Sequence, residues 1–366
     1  MTSDNTQVIS DKTLNNNSAE SSEKRNYGLD YLRFIAIMMI FTFHYGCIYG
    51  LLSSPLVIFA NGTWGCPGTS VFFILSGFLL RKKYKMVSDI KTFYKKRFVA
   101  IFPSLYIAFI PCYLYYVWCN KDFLFAGSPL KFIYTLLGID NYLGFYGINT
   151  YALVGEWFTA IIIVAYLIYP LLSFFFNKNK YIVMGVITVL YLVNVFFGID
   201  PVVADASVFS GIFLFTLGML FSDTFAKIKR KYIVLPISVA ISILIIFVNL
   251  PDSIPETITS NLLGISLFTA MYLLFTWFSA TKPFSGMNKA AKYLSSLSYC
   301  IYLSHHFVLR TLFEKFEPHV NTTASHFANY MIQLLITLVI SIALNAVTKA
   351  VIRFFGHQRV FKKTNS

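Results

Sequence analysis

Charged side chains are scarce in this chain. Asp, Glu, Lys and Arg make up only 13% of the 366 residues, whereas soluble globular domains carry about 25%. Hydrophobic residues account for 57% of the sequence and aromatic residues for 18%. This composition excludes an ordinary soluble domain and predicts a protein that crosses a membrane several times.

The familiar motifs of soluble enzymes are also missing. The sequence has no Gly-x-Ser-x-Gly elbow, no His-Glu-x-x-His pair and no Gly-rich phosphate loop ending in Lys-Ser/Thr. Its five cysteines show no metal-ligand spacing, so we predict that they are small buried hydrophobic residues and that the protein has no metal site. The sequence is also compatible with one disulfide between two of Cys47, Cys66 and Cys119. Any reaction must therefore use groups within a helical bundle.

Long runs without Asp, Glu, Lys or Arg dominate the rest. They cover 34–80, 98–120, 157–177, 181–199, 206–222, 232–251, 257–281, 293–309 and 327–348. A helix needs about 20 residues to span a bilayer, so the first run is long enough to cross twice. Asn61, Gly62, Pro67 and Gly68 predict the turn between those crossings. We predict an all-α polytopic membrane protein with about ten transmembrane helices.

The basic residues predict the orientation of these spans. With the N-terminus inside, 26 of the 30 Lys and Arg residues fall in cytoplasmic segments. Both termini are then cytoplasmic, and the net charge of +14 reflects topology and contact with the lipid bilayer, with no need for nucleic acid. We predict a disordered cytoplasmic tail at 1–26, a membrane domain at 27–353 and a short cytoplasmic tail at 354–366.

Two ionisable residues in the first span are the strongest functional signal. Arg33 and His44 are eleven positions apart, so a helix places both side chains on one face, about 16 Å apart along its axis. Ionisable groups at such positions indicate a functional site that faces the bundle interior, and His44 suits proton transfer. The alternatives are a histidine that donates to a backbone carbonyl of a neighbouring helix and a snorkelling Arg33 paired with Asp30.

A basic loop at 81–97 ends in Lys96 and Arg97 at the start of the third span. An arginine there is suited to clamp a phosphate, although positive-inside bias alone explains most of the lysines.

Near the outer face, two further groups of residues are candidates. Glu156 and Trp157 begin the fourth span, where a carboxylate can orient an imidazole and an indole can cover a sugar ring. An interfacial tryptophan beside a water-exposed glutamate is equally compatible. Ser298, Tyr302 and His305 form a polar stripe on the ninth span, which also suits an ordinary helix contact.

Together these segments resemble the acyltransferase-3 family of integral membrane acyltransferases. The resemblance lies in Arg33 and His44 at the family's spacing, in GTSVFFILSGFLL around Ser76, in FYKKRFVAIFPSLY, in EWFTAIIIVAYLIYP and in SYCIYLSHH. Two positions depart from the pattern. Ala100 stands where the family has a second arginine, and Ile162 stands where many members have glutamate.

The resemblance implies transfer of an acyl group, most often acetyl, from acetyl-CoA to a hydroxyl of a carbohydrate at the bacterial surface. Under this hypothesis Arg33, Lys96, Arg97 and Ser76 serve the donor, and His44 with Arg33 and Glu156 is catalytic. Trp157, Tyr302 and His305 contact the acceptor. The expected partners are acyl-CoA, a surface glycan, the lipid bilayer and polysaccharide biosynthesis machinery, and the expected location is the bacterial plasma membrane.

Two other functions compete with this one. A transporter or flippase of a lipid-linked or polymeric glycan also uses buried His and Arg, although we find no internal repeat of the kind that many transporters show. The third hypothesis is that the protein is an inactive assembly partner of a polysaccharide synthase.

Overall fold

The computed structural model describes residues 25–200, 202, 206–225, 230–281, 286–316 and 320–364, with the backbone alone for Glu156, 314–316 and 356–364. The predicted N-terminal tail at 1–26 therefore lies almost wholly outside the described residues. The segment at 354–366 continues the last helix as far as Thr364.

Helices make up the bundle in the described part of the chain. In chain order they are α1 (Gly28–Ile48), α2 (Gly65–Lys83), α3 (Ile90–Asn120), α4 (Phe132–Leu137), α5 (Asp140–Gly144), α6 (Glu156–Phe197), α7 (Val208–Thr224), α8 (Lys231–Phe247), α9 (Glu256–Ala280), α10 (Met287–Phe316) and α11 (Thr323–Thr364). A two-stranded antiparallel hairpin, β1 (Ile58–Phe59) and β2 (Gly62–Thr63), lies between α1 and α2.

The apolar runs agree with these helices. α6 contains two of the predicted spans, separated at Asn179 by a residue with non-helical backbone angles. Five of the described helices, α1, α3, α6, α9 and α11, are long and apolar enough to cross a membrane, and α7 and α8 are shorter apolar helices. The all-α membrane architecture is thus confirmed, while the number of ten crossings and the sides of the termini stay predictions.

The turn between the first two spans is only partly where we predict it. Asn61 and Gly62 do lie at the hairpin, and Asn61 donates to the carbonyl oxygens of Ile245 and Val248. Pro67 and Gly68 instead lie in the first turn of α2. Proline fits there because the first backbone N–H groups of a helix have no partner within that helix.

Close packing fixes α2 against α7. A methyl group added at Gly77 would overlap the carbonyl oxygen of Phe215, and one added at Gly218 would overlap that of Ile74. Small residues at facing positions let two membrane helices approach to backbone contact. The Ser-Gly-Phe motif of the second span therefore has a packing role at Gly77.

α1 and α10 run side by side in the same direction. Tyr31 near the start of α1 bonds to Asn288, and His44 near its end contacts His305. We name the two ends of this contact the arginine end, around Arg33, and the histidine end, around His44.

Candidate active site

The histidine end brings three imidazoles together. His44 comes from α1, and His305 and His306 come from consecutive positions of α10, 261 residues away along the chain. The ring centroid of His44 lies 5.0 Å from that of His305 and 4.3 Å from that of His306. Arg33 and His44 lie on the same face of α1, because eleven residues make about three helical turns. Both side chains therefore contact α10.

Hydrogen bonds connect two of these rings. His305 Nε2 lies 3.1 Å from His44 Nδ1, and His44 Nδ1 also lies 3.0 Å from the carbonyl oxygen of Ile40. His305 is fully buried. Ile40 belongs to α1 itself, so this bond differs from the alternative of a histidine bonded to a carbonyl of a neighbouring helix. The partner on α10, His305, was not predicted from the sequence.

The three imidazoles also have the spacing of a metal site. One ring nitrogen from each of His44, His305 and His306 lies within 4.8 Å of the others. Zinc binds imidazole nitrogens at about 2.0–2.1 Å, and three histidines form a known catalytic set. Among the described residues, these three could hold a transition metal ion. Our prediction of no metal stays a prediction.

At the arginine end, the ion pair between Arg33 and Asp30 that the alternative interpretation requires does not form. Asp30 accepts instead from Arg25 at 2.8 Å. The guanidinium Nη1 of Arg33 lies 3.5 Å from Ser295 Oγ, which is a long contact. Among the described residues, no carboxylate forms an ion pair with Arg33, so its charge is available to a ligand.

Three cavities follow the contact between α1 and α10. A basic cleft of about 400 Å³ lies at the arginine end and is lined by Arg25, Arg33, Lys289, Lys292, Tyr293, Ser295, Ser296 and Lys349. An inner cavity of about 300 Å³ shares Arg33, Ser295 and Ser296 with the cleft and also contains Ser76 and Tyr302. An outer cavity of about 200 Å³ shares Tyr302 with the inner one and contains Trp157, His306 and Arg310. The cavities thus adjoin through shared lining residues.

Tyr302 lies at the boundary between the inner and outer cavities. Its hydroxyl donates to the carbonyl oxygen of Gly155 at 2.6 Å, and Thr159 Oγ1 lies 3.5 Å from the same hydroxyl. Gly155 precedes α6 with φ +84°, a conformation that glycine adopts most easily. A side chain there would also approach Leu105 at 2.9 Å. This hydrogen bond ties the start of α6 to α10.

The two residues predicted at the start of the fourth span, Glu156 and Trp157, lie next to the outer cavity. Trp157 lines it. Glu156 is the first residue of α6, directly before Trp157, and its side chain is outside what the structure describes. His305 is fully buried, whereas its neighbour His306 lines this cavity.

The basic loop does not join the cleft. Arg97 faces the rings of Phe93 and Tyr166, with Cζ 5.9 Å and 5.4 Å from their centroids. It lines an apolar side pocket of about 170 Å³ that adjoins the inner cavity through Ile101 and Tyr166. Lys96 is exposed on α3. The cations of the cleft come from other segments of the chain.

The comparison with known families decides the class of protein. A family model described as an acyltransferase domain matches residues 26–348. The chain belongs to the acyltransferase-3 family. It is 34% identical over 97 residues to nodulation protein 10 of Rhizobium leguminosarum bv. viciae, and this match covers 25% of each chain. The chain thus spans about a quarter of that curated relative in the match, and no solved structure matches.

Membership of the acyltransferase-3 family supports a membrane acyltransferase. Ala100 and Ile162, the two positions that depart from the family pattern, both line the inner cavity. The sequence had placed them on different spans, so their shared position emerges only in the folded chain. No disulfide links the five cysteines, all of which lie in the described part of the chain.

Several residues of the site escaped the sequence analysis. His306 and Arg310 are four positions apart on α10, which places them on one helix face, and the doubled histidine was a readable signal. Arg25, Lys289, Lys292 and Lys349 come from three distant segments and were counted only as positive charges. No sequence pattern connects them.

Proposed function

We propose that the chain transfers an acyl group, acetyl in the first instance, from acyl-CoA to a hydroxyl of a carbohydrate at the bacterial cell surface. The observation that carries this proposal is the series of three adjoining cavities, which runs from a cluster of cations to an outer cavity lined by His306, one of three neighbouring imidazoles. The arginine end is assigned to the cytoplasm and the histidine end to the outside.

The basic cleft suits the donor. Coenzyme A carries a pyrophosphate and a further phosphate, and guanidinium and ammonium groups are the usual protein contacts of phosphates. Arg33 lines both the cleft and the inner cavity, so it is positioned to contact the phosphate-bearing half while the thioester arm extends past Ser76. Arg97 and Lys96 lie to one side on α3, and we assign them to steering of the anionic donor.

The outer cavity suits the acceptor. Its volume is about 200 Å³, and Trp157 and Tyr302 offer aromatic surface for a sugar ring. We assign His306, which lines this cavity, to acceptor contact, and His305 to support of His44. Glu156 keeps its proposed role of orienting an imidazole or accepting a bond from the sugar.

The chemistry then needs one proton transfer and one acyl transfer. His44 removes the proton of the acceptor hydroxyl, and the hydroxyl oxygen forms a bond to the acyl carbon. The carbon–sulfur bond breaks, and the thiolate of coenzyme A takes up the proton that His44 holds. No net charge is left in the membrane.

The test compares cells that lack the protein with cells that express it. We expect mass spectrometry of a surface glycan to show units heavier by one acetyl group only in the expressing cells. Thermal unfolding of the purified protein with and without coenzyme A supplies the second measurement, because a ligand that binds the folded state stabilises it.

These two measurements separate the competing functions. Unchanged acylation of every surface glycan would contradict acyl transfer. A glycan that is lost from the surface, rather than deacylated, together with no stabilisation by coenzyme A, would instead identify a transporter or flippase.

A further inference from the structure

The contact between His44 and His305 has a defined direction. We propose that His305 is a positioning residue, which holds His44 as the tautomer with Nδ1 protonated and Nε2 unprotonated, so that Nε2 can accept the proton of the acceptor. This inference rests on the proposed function only where Nε2 of His44 is said to accept the proton of the acceptor hydroxyl. The tautomer itself follows from hydrogen-bond geometry.

His305 comes first in the argument because two backbone carbonyls decide its tautomer. Its Nδ1 lies 2.8 Å from the carbonyl oxygen of Tyr302 and 3.2 Å from that of Ile301. A carbonyl oxygen only accepts hydrogen bonds, so Nδ1 of His305 must carry the proton. Neutral imidazole holds one ring proton, and Nε2 of His305 therefore presents a lone pair.

That lone pair meets His44. Nε2 of His305 lies 3.1 Å from His44 Nδ1, so Nδ1 of His44 must be the donor. The carbonyl oxygen of Ile40, at 3.0 Å from the same nitrogen, imposes the same choice. Both acceptors thus leave His44 protonated at Nδ1 and unprotonated at Nε2.

The two acceptors differ in what happens next. When Nε2 of His44 takes a proton, the ring becomes a cation and its Nδ1–H bond becomes charge-assisted. His305 shares that charge because the proton on Nδ1 of His44 can shift to its own Nε2, whereas an amide carbonyl cannot accept it. In serine hydrolases a carboxylate holds the histidine tautomer and stabilises the imidazolium. A buried imidazole does so here.

A metal ion would use the same lone pair. If His44, His305 and His306 ligated a metal, His305 Nε2 would point to the ion and could not accept the proton of His44. The tautomer chain and metal ligation therefore exclude each other, and one measurement distinguishes them.

The decisive experiment is solid-state NMR of the full-length protein, labelled with ¹⁵N-histidine and held in lipid bilayers. The six histidines are assigned with His44→Gln and His305→Gln. We expect His44 with a protonated Nδ1 and an unprotonated Nε2, and a nitrogen–nitrogen correlation between its Nδ1 and Nε2 of His305. A protonated Nε2 on His44, no such correlation, or a stoichiometric metal ion in the purified protein would overturn the proposal.

Activity supplies a second measurement. Glutamine places an acceptor oxygen close to the position of Nε2, while leucine has similar bulk and no acceptor. We expect His305→Leu to lower acetyl transfer at least tenfold and His305→Gln to recover a clear part of that loss. Equal losses in the two variants would assign His305 a packing role and overturn the proposal.

Ser304→Ala is the matched control on α10. Ser304 points to Ser341 on α11, away from the histidine end, and its replacement should leave transfer near the wild-type rate. If the wild-type protein shows the NMR correlation and no acyl transfer, the proposed function fails and the tautomer assignment stands. Acyl transfer without the correlation gives the opposite result.

Discussion

The two ends of the contact between α1 and α10 are built in opposite ways. At the histidine end, His44 and His305 are joined to each other and to backbone carbonyls by hydrogen bonds. At the arginine end, Arg33 makes one long contact to Ser295 and borders two cavities. A fixed imidazole pair suits proton transfer, because catalytic groups act best when already oriented. An open guanidinium suits an anion that arrives and leaves.

The largest expected effect comes from the histidine end. His44→Ala should lower acyl transfer about 10²–10⁴-fold, the usual contribution of a general base. Stabilisation by coenzyme A should stay unchanged, because the donor phosphates are assigned to the other end. The measurements are glycan acetylation at matched protein level and thermal unfolding with coenzyme A.

His326→Ala is the control for loss of a histidine near α1. The backbone carbonyl of His326 accepts from Tyr45, and that bond survives the substitution. If the control loses as much activity as His44→Ala, the assignment of His44 as the base is wrong.

The next effect is expected at the arginine end. Arg33→Met should weaken coenzyme A binding about tenfold, equivalent to about 1.4 kcal/mol for one charge-assisted contact. The affinity of Arg33→Lys for coenzyme A should lie between those of the wild type and Arg33→Met, since lysine keeps the charge and loses the planar guanidinium. Calorimetric titration with coenzyme A measures both.

Arg230→Met removes an exposed arginine outside the cleft and should leave the affinity unaltered. An unchanged affinity in Arg33→Met would remove the contrast between the two ends.

A third test concerns the inner cavity that connects the ends. Ala100→Arg would add a second cation to the cavity that Arg33 already lines, and Ile162→Glu would replace a buried apolar side chain with a carboxylate. Each change alone should lower the unfolding temperature. The double variant should recover part of that loss, with a coupling of roughly 0.5–3 kcal/mol. Ala100→Leu, which adds bulk without charge, is the control. Strictly additive losses would show that the two positions do not interact.

The smallest effect is expected in the segment between α3 and α6, beside the histidine end. Burial raises the pKa of Asp140 to about 6 from its ordinary value of 3.8. The folded state therefore favours the protonated carboxyl. Its stabilising contribution is complete below about pH 4 and is lost as the pH rises through 6. Asp140→Asn should raise the unfolding temperature at pH 7.5 and change it little at pH 4.

Asp200 supplies the opposite sign in the same region. Burial raises its pKa, but hydrogen bonds from Tyr142 and Tyr146 outweigh that effect and hold the pKa below its ordinary value. Its contribution is present above about pH 4 and is lost as the pH falls through the lowered pKa. Asp200→Asn should therefore destabilise the protein at pH 7.5. Equal shifts in both variants would contradict these environments.

Much of the fold was predictable because bilayer physics acts on local sequence. Each of the predicted charge-free runs overlaps at least one helix, since apolar residues without charge must satisfy their backbone bonds inside the segment. The start of α2 was not predictable from Pro67 and Gly68, because both residues are compatible with a turn and with a first helical turn. In the folded chain the turn lies at the hairpin, where Asn61 donates to the carbonyl oxygens of Ile245 in α8 and of Val248 just after it.

The candidate site divides in the same way. The eleven-residue spacing of Arg33 and His44 determined that both face one neighbour, because helical periodicity is a local property of the backbone. Tertiary packing alone decided that this neighbour is α10. The ion pair of Asp30 with Arg25, five residues earlier, is instead a local contact at the start of α1. The sequence by itself determined which groups the protein has for chemistry. The packed helices determined which groups share a proton and which remain open, since hydrogen bonds require distances that only the folded chain sets.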